Sequence, residues 1–387
     1  MTKIVYGNDI QLLQSGMEYF PALISAFDEA KTEIHVETYI FELDATGMLV
    51  RDALVRALHR GVKVHVLLDG YGSLPFLQQQ LFEFTGKGIE VLVYRPDSGS
   101  FLFKRQRLRR LHRKIVLVDS SLAFVGGINI IDDMNRHQFS APRFDFAVSV
   151  RGPLVRDIYR SVKGLWRLVS IFEFAGRRPF FIHPPTIPVV GSMKAGFAIR
   201  DNIKHRRAIE LAYLDAVRAS QHEIILSIAY FLPGQVFREA LLDAARRGVR
   251  VILLLQGRAD HPLVHYAEHS LYDELMSGGI EIHEYVRSHL HAKVAVIDEY
   301  WSTVGSSNLD PFSLLLAREA NIIVEDERFA RQLKGKLLEA LKKDAIQLSL
   351  AVWRNNKLDR LWNRLAYRSL RVLIGLIGYP LDRDHSL

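Results

Sequence analysis

The feature that most constrains this chain is a cassette that occurs twice. Residues 112–129 read HRKIVLVDSSLAFVGGIN, and residues 291–308 read HAKVAVIDEYWSTVGSSN. In each copy Lys stands two positions after His, Asp five after Lys, Gly seven after Asp, and Asn three after Gly. The copies begin 179 residues apart in a chain of 387. So long a period marks duplicated domains rather than a solenoid of small repeats. The chain is therefore expected to fold as two related halves, each long enough to bury its own core.

The likeness of the halves extends upstream. LVRDALVRALHRGVKVHVLLDG (49–70) aligns with VFREALLDAARRGVRVILLLQG (236–257), each an amphipathic helix, a Gly and an apolar β-rich run. IHVETYIF (34–41) matches IILSIAYF (224–231), and GIEVLVY (88–94) matches GIEIHEYV (279–286). Helices are expected before the first pair, at 20–30 and 210–219. Such alternation of strand and helix predicts an α/β fold of two duplicated domains with mixed sheets. The expected boundaries are 8–180 for the first domain, 181–196 for a Pro-rich linker and 197–345 for the second domain. Residues 346–387, without a counterpart in the first half, are expected to form an amphipathic C-terminal membrane-surface segment.

On a strand, residues two apart share a face, so His112 projects with Lys114 and His291 with Lys293. Two histidines on facing strands suit phosphodiester exchange by a covalent route. One neutral imidazole attacks phosphorus while the other protonates the leaving alkoxide, and the spacing does not say which does which. The lysines would balance charge on the non-bridging oxygens. Gly126, Gly127, Gly305, Ser306 and Ser307 offer small residues and backbone N–H groups to a phosphate, and Asn129 and Asn308 offer amides. Asp145 and Glu319 enter the strand after each cassette and are the expected orienting acceptors for the imidazoles. Asp119 and Asp298 complete the cassettes and are counted with the catalytic set, in an orienting or turn-holding part. The cassettes show no carboxylate cluster with metal spacing, so neither metal nor cofactor is expected.

Composition narrows the field further. With no cysteine, the chain has no disulfide, thiolate metal site or cysteine nucleophile. The first residues show no secretory signal pattern, and no apolar run is long enough to span a bilayer. A formal charge of +8 with 49% hydrophobic residues suits an enzyme working against an anionic surface. Between Pro96 and His112 stand Lys104, Arg105, Arg107, Arg109 and Arg110. Near the C-terminus Arg354, Lys357, Arg360, Arg364, Arg368 and Arg371 recur at steps of three or four, with Leu358, Trp362, Leu365, Ala366 and Leu373 largely opposite. That pattern predicts an interfacial helix, its rival being a packing helix with a solvated face. Val162–Phe174 poses the same alternative.

The cassettes fit HxKxxxxDxxxxxxGGxN, with GSSN ending the second, and in this the chain resembles the phospholipase D superfamily. Over residues 8–345 it is most similar to bacterial cardiolipin synthases of the B type, through ETYIF (37–41), LLDGYGS (67–73), LRRLHRKIVLVD (108–119), AYFLPG (229–234) and residues 291–314. The resemblance implies two α/β domains whose motifs meet at a pseudo-twofold interface. It implies His112 as nucleophile, His291 as acid and base, and Lys114, Lys293, Asn129 and Asn308 on the phosphate. Asp145 and Glu319 match the family's histidine-orienting acids. The implied reaction moves a phosphatidyl group from one phosphatidylglycerol to another with release of glycerol. Two features depart from relatives: the chain opens directly into the first repeat, and Ala317-Arg318 precedes Glu319.

Alternatives of the same chemistry are hydrolysis by a phospholipase D and transfer to another alcohol, such as phosphatidylethanolamine. A nuclease and an inactive lipid-binding scaffold are further alternatives. No nucleic-acid-binding module is evident, and two intact His/Lys pairs speak against the scaffold. The expected partners are phosphatidylglycerol and an anionic membrane surface, without nucleic acid or an obligate protein. The expected location is the cytoplasmic side of the cell membrane, held peripherally.

Overall fold

The computed structural model describes residues 2–96, 109–134, 141–173, 184–201, 204–258, 261–355 and 357–376. Lys104, Arg105 and Arg107 lie outside the described residues, as do 377–387.

The first half runs β1 (Ile4–Gln14), α1 (Ser15–Glu29), β2 (Glu33–Thr38), α2 (Ala45–His59), β3 (Lys63–Asp69) and α3 (Leu74–Gln79). It continues with α4 (Leu81–Gly86), β4 (Glu90–Tyr94), β5 (Lys114–Val118), β6 (Leu122–Gly126), β7 (Phe146–Arg151) and α5 (Val155–Glu173). The second half runs β8 (Met193–Arg200), α6 (Ala208–Ala219), β9 (Glu223–Ile228), α7 (Gln235–Arg246), β10 (Arg250–Gln256) and α8 (Pro262–Ser277). Then come β11 (Glu281–Tyr285), β12 (Lys293–Ile297), β13 (Trp301–Gly305), α9 (Pro311–Leu315), β14 (Glu319–Glu325) and α10 (Glu327–Asp344). The chain closes with β15 (Ala345–Gln347), α11 (Leu350–Asn355) and α12 (Lys357–Leu376).

The strands among the described residues form one fifteen-stranded sheet with a mirrored order. Outward from the middle, one side reads β1-β7-β6-β5-β2-β3-β4, and the other β8-β14-β13-β12-β9-β10-β11 with β15 on its edge. β2, β3 and β4 are parallel, as are β9, β10 and β11, while the cassette strands pair antiparallel. The sheet is thus mixed, as expected.

The join was not expected. β1 pairs with β8 across the middle, Ile4 opposite Gly196 and Asn8 opposite Met193, with a register shift between Val5 and Asn8. Buried Asn8 serves the shift: its Nδ2 donates to Val5 O at 2.7 Å, and its Oδ1 accepts from Leu154 N at 2.8 Å. β8 thus starts at Met193, inside the segment read as linker, and β1 at Ile4. One apolar cluster contains residues of both halves, such as Phe146 and Val148 with Val294 and Leu333, while two others each line one half's outer face. Both halves turn from helix to strand alike. Gly61 and Gly248 take φ +87° and +90°, and Val62 N and Val249 N reach back to Ala57 O and Ala244 O. Val162, Leu165, Trp166 and Val169 of α5 are buried, so this face of the helix packs.

Candidate active site

His112 and His291 stand two residues before β5 and β12, and Lys114 and Lys293 open those strands. The intervening Arg113 points the other way, as alternation requires. Its guanidinium pairs with buried Glu37 at 2.5 and 2.8 Å. The second copy has Ala292 in its place, so this ion pair belongs to the first half alone.

Each histidine is held by the other half. His112 Nδ1 lies 2.9 Å from Glu319 Oε1, and His291 Nδ1 lies 2.6 Å from Asp145 Oδ2. The backbone makes the same exchange. His112 N donates to Arg318 O at 3.0 Å and Arg318 N to Arg110 O at 2.7 Å. Likewise His291 N donates to Phe144 O at 2.9 Å and Phe144 N to His289 O at 3.0 Å. Arg318 thus belongs to this exchange, and its Nε donates across to Tyr94 Oη at 3.1 Å. With each Nδ1 engaged, each Nε2 is the ring nitrogen open to chemistry. The imidazoles remain 18% and 14% exposed, enough to be reached.

The two acids are seated differently because one is a methylene longer. Asp145 Oδ1 accepts from the next amide, Phe146 N, at 2.8 Å. A Cβ on Gly127 would stand 2.3 Å from that Oδ1, so only glycine leaves room. Across the interface Ser306 takes the place of Gly127. Its hydroxyl accepts from Ala320 N at 3.1 Å and donates to Glu319 Oε2 at 2.5 Å. The hydroxyl relays the amide that Asp145 takes directly.

These contacts correct the phosphate-cradle expectation. Gly127 N and Ser306 N donate to Phe146 O and Ala320 O, and Ser307 N donates to Asn321 Oδ1. Gly126 and Gly305 end strands so tightly packed that a Cβ would meet Ala147 and Asn321 at 2.4 and 2.2 Å. All five residues pack against the strands that follow or carry the acids, and Gly127 and Ser306 adjoin the acids themselves. Asn129 Oδ1 accepts from Ile40 N at 3.1 Å, which leaves its NH2 as donor, and Asn308 lines the cleft beside His112.

Asp119 and Asp298 take the turn-holding part expected of them and stand apart from the catalytic set with which they were counted. They lie past the far ends of β5 and β12, at φ +48° and +51°. Asp119 accepts from the backbone N of Lys31, Thr32 and Glu33, and Asp298 from that of Gln221, His222 and Glu223. Burial works upward on both carboxyls, but these amides outweigh it and hold them below the usual range. Their part is to pin a turn.

Near the histidines, burial dominates. It depresses His112, and drives His291 well below the ordinary imidazole value. It raises Asp145 to about 7 and lowers Lys114 to about 7 and Lys293 to about 8. Lys114 is acted on by Glu319, Lys293 and Asp145 together, so the two cassettes form one electrostatic centre. Lys114 Nζ donates to His112 O at 2.6 Å, and Lys293 Nζ donates to His291 O. Both lysines thus turn back onto their own strands.

A cleft of about 210 Å3 opens at the centre. Tyr39, Arg110 and His112 line it from the first half, and Tyr230, His261, Asn308 and Asp310 from the second. Sequence reading did not single out the two tyrosines, although each lies just beyond β2 or β9 in the aligned segments. Asp69 and Gln256 were also missed. They end the aligned helix–strand segments and hold the approaches to the cassettes, accepting from Leu111 N and Leu290 N at 2.8 and 2.9 Å. Among the described residues Glu33, His35 and His65 have ligand atoms within 4.8 Å of one another. They lie at the Asp119 end of β2, and the ammonium of Lys163 already sits 2.5 Å from Glu33.

A family model described as cardiolipin synthase, phospholipase D-like domain, matches residues 23–141 and 213–341, once in each half. Cardiolipin synthase B of Shigella flexneri is 38% identical, with 96% of this chain aligned to 90% of that protein. The Escherichia coli K12 cardiolipin synthase B is 37% identical over the same shares. Among solved structures, the phosphatidylserine synthase of Haemophilus influenzae superposes with a TM-score of 0.65 at 14% identity, covering 95% of each chain. Polyphosphate kinase of Porphyromonas gingivalis gives 0.58 at 15% identity over 94% of this chain and 53% of its own. These two likenesses are of fold. Duplicated cassettes, crossed acids and near full-length sequence identity agree: the chain belongs to the phospholipase D superfamily, among the bacterial cardiolipin synthases of the B type.

Proposed function

We propose that this protein is a cardiolipin synthase, a phosphatidyltransferase that joins two phosphatidylglycerol molecules and releases glycerol. The observation that carries the reading is the crossed pairing of each histidine with the other half's carboxylate. It leaves two Nε2 atoms as partners in one reaction.

In the first step, His112 Nε2 attacks the phosphorus of bound phosphatidylglycerol, and the bond from phosphorus to the glycerol oxygen breaks. His291, protonated, gives its Nε2 proton to the departing alkoxide, and glycerol leaves. In the second step, the terminal hydroxyl of another phosphatidylglycerol gives its proton to His291 and attacks phosphorus. The P–N bond breaks, and His112 is regenerated. Glu319 keeps the Nδ1 proton on His112, so the lone pair is at Nε2, and stabilises the cationic ring as the bond forms. Asp145 does the same for the imidazolium of His291. Lys114, Lys293 and the amides of Asn129 and Asn308 hold the non-bridging oxygens. An arriving phosphodiester anion draws the lysines off their backbone carbonyls and favours their charged forms.

The enzyme works peripherally at the cytoplasmic surface of an anionic membrane. Among the described residues no helix is long and apolar enough to cross one. The test is incubation of purified protein with phosphatidylglycerol vesicles and mass analysis of the lipids. Dimeric phospholipid with one glycerol per dimer, absent in His112→Ala, is the expected result. Phosphatidic acid alone would assign the protein to hydrolysis.

A further inference from the structure

The C-terminal helix faces three ways. Asn363 and Leu370 of α12 are buried where it packs along α8. Leu361, Trp362, Leu365 and Val372 are instead 43–64% exposed and fall on one stripe. Arg364, Arg368 and Arg371 form the flank between these sides, about 100° round the helix from the apolar stripe. Sequence reading had put the whole basic series on one face. Two of its members are turned to the protein, Arg354 and Arg360 lying 2.8 and 3.7 Å from Asp273.

The three flanking arginines close a cavity of about 310 Å3 against α7 and α8, with Arg238, Gln235 and Tyr367 in its wall. Four guanidiniums meet there, against Glu274 as the single carboxylate of the lining. Arg238 Nε takes Glu274 at 3.2 Å, and Arg364, Arg368 and Arg371 add three more guanidiniums to the wall. Gln235 opens α7, whose N-cap Gly234 supplies no side-chain cap, so the helix dipole adds to the field. We propose that this cavity binds the phosphate of an anionic membrane phospholipid, at a site separate from the catalytic centre, while the apolar stripe of α12 enters the same leaflet. A soluble phosphate would satisfy the arginines but would leave Trp362 and its neighbours in water, which is why a lipid is the occupant. Guanidinium geometry suits a phosphodiester, and a basic flank beside an apolar stripe is how an amphipathic helix seats at an anionic interface.

The proposal rests on the anionic-membrane reading above but not on the identity of the reaction. Its test is flotation of full-length protein with phosphatidylcholine vesicles containing phosphatidylglycerol, at fixed ionic strength. R364Q/R368Q/R371Q is compared with K31Q/R328Q/K342Q, which removes the same charge elsewhere. About fivefold weaker binding is expected per cavity arginine, or roughly a hundredfold together. The control should change little. W362S/L365S should also lose binding, and the arginine triple should keep its turnover of detergent-dispersed phosphatidylglycerol. Equal losses in both triples would overturn the site in favour of net charge alone. Inorganic phosphate, rather than vesicles, protecting the α12 arginines from a guanidinium-modifying reagent would overturn the lipid assignment. If the triple fails to fold, R368Q alone carries the test, with its fivefold loss expected and wild-type binding contradictory.

Discussion

Replacing Asp145 by Asn isolates what the crossed acids do, because almost no atom moves. Asp145 stands between a fixed donor, Phe146 N at 2.8 Å from Oδ1, and His291 Nδ1 at 2.6 Å from Oδ2. An asparagine must turn its oxygen toward the amide, which can only donate. Its NH2 then faces His291 Nδ1 and forces the ring to accept there, placing the proton on Nε2 of a neutral imidazole. That tautomer is a poor acid in the first step and cannot serve as base in the second. The comparable carboxylate-to-amide change in a serine protease triad costs about four powers of ten in turnover, or about 5 kcal/mol of barrier. A loss of about 10⁴-fold in glycerol release is therefore expected for Asp145→Asn, with melting temperature little changed. Glu319→Gln should lose less, about 10²–10³-fold on the same scale, because the Ser306 hydroxyl can rotate to accept from the new NH2. Glycerol release measured on both variants checks the ordering. Turnover of Asp145→Asn within tenfold of wild type would refute the tautomer argument.

Other predictions follow from the same contacts. Asp119→Ala orphans the amides of Lys31, Thr32 and Glu33. It should cost about 1–3 kcal/mol of stability, seen in a denaturant titration, while turnover per folded molecule stays near wild type. Gly127→Ala drives a methyl into the Asp145 carboxylate and should lose activity in the glycerol assay far more than stability. Glu37→Ala leaves the buried Arg113 charge unpaired and should destabilise by about 3–5 kcal/mol, whereas an apolar pair at both positions should restore most of it. The pH profile of kcat/KM should be a narrow bell about neutrality. The acid limb lies below the ordinary imidazole value, where His112 gains a proton and loses the lone pair that attacks. Above about 7 to 8 the Asp145–His291 pair loses the proton it gives to the leaving alkoxide, while Lys114 and Lys293 lose theirs. In kcat the alkaline limb should move upward, since the bound anion favours the ammonium forms. Burial holds His35 neutral down to about 4, so the unfolded chain binds the extra proton first. Stability should be full above about 6.5 and fall by about 3 kcal/mol by about pH 4 on this account, read as denaturant midpoints across pH.

Much of this molecule was legible because duplication prints every signal twice. The cassettes, the Gly-ended helices and the apolar strands announced two α/β halves, and Asp145 and Glu319 stood out by their matched places. The crossing of those acids was not legible. A sequence shows that each acid follows a cassette, but only assembly shows that it serves the other cassette. The cassette glycines misled for a physical reason. Room beside a strand looks the same in sequence whether a phosphate or a carboxylate fills it, and at Gly127 the carboxylate of Asp145 does. Asp119 was legible as a turn-holder from its place after an apolar strand, and only its company in the motif counted it with the catalytic set. β1 and β8 went unseen because they precede the matched segments of each half, yet they join the halves. Toward the C-terminus periodicity put the basic series on one face of one helix, whereas Arg354 falls on α11, and the division of the arginines between Asp273 and the cavity depends on α8, which is distant in sequence.

Under the proposed function the two histidines act as one covalent centre, with His112 carrying the phosphatidyl group. Its most direct measurement is a rapid quench of the protein with short-chain phosphatidylglycerol, held at alkaline pH and mapped by peptide mass. A phosphatidyl adduct on the His112 peptide is expected. It should be absent from His112→Ala and should accumulate when the acceptor lipid is scarce. Transfer that continues undiminished in His112→Ala, or an adduct found only on His291, would contradict it.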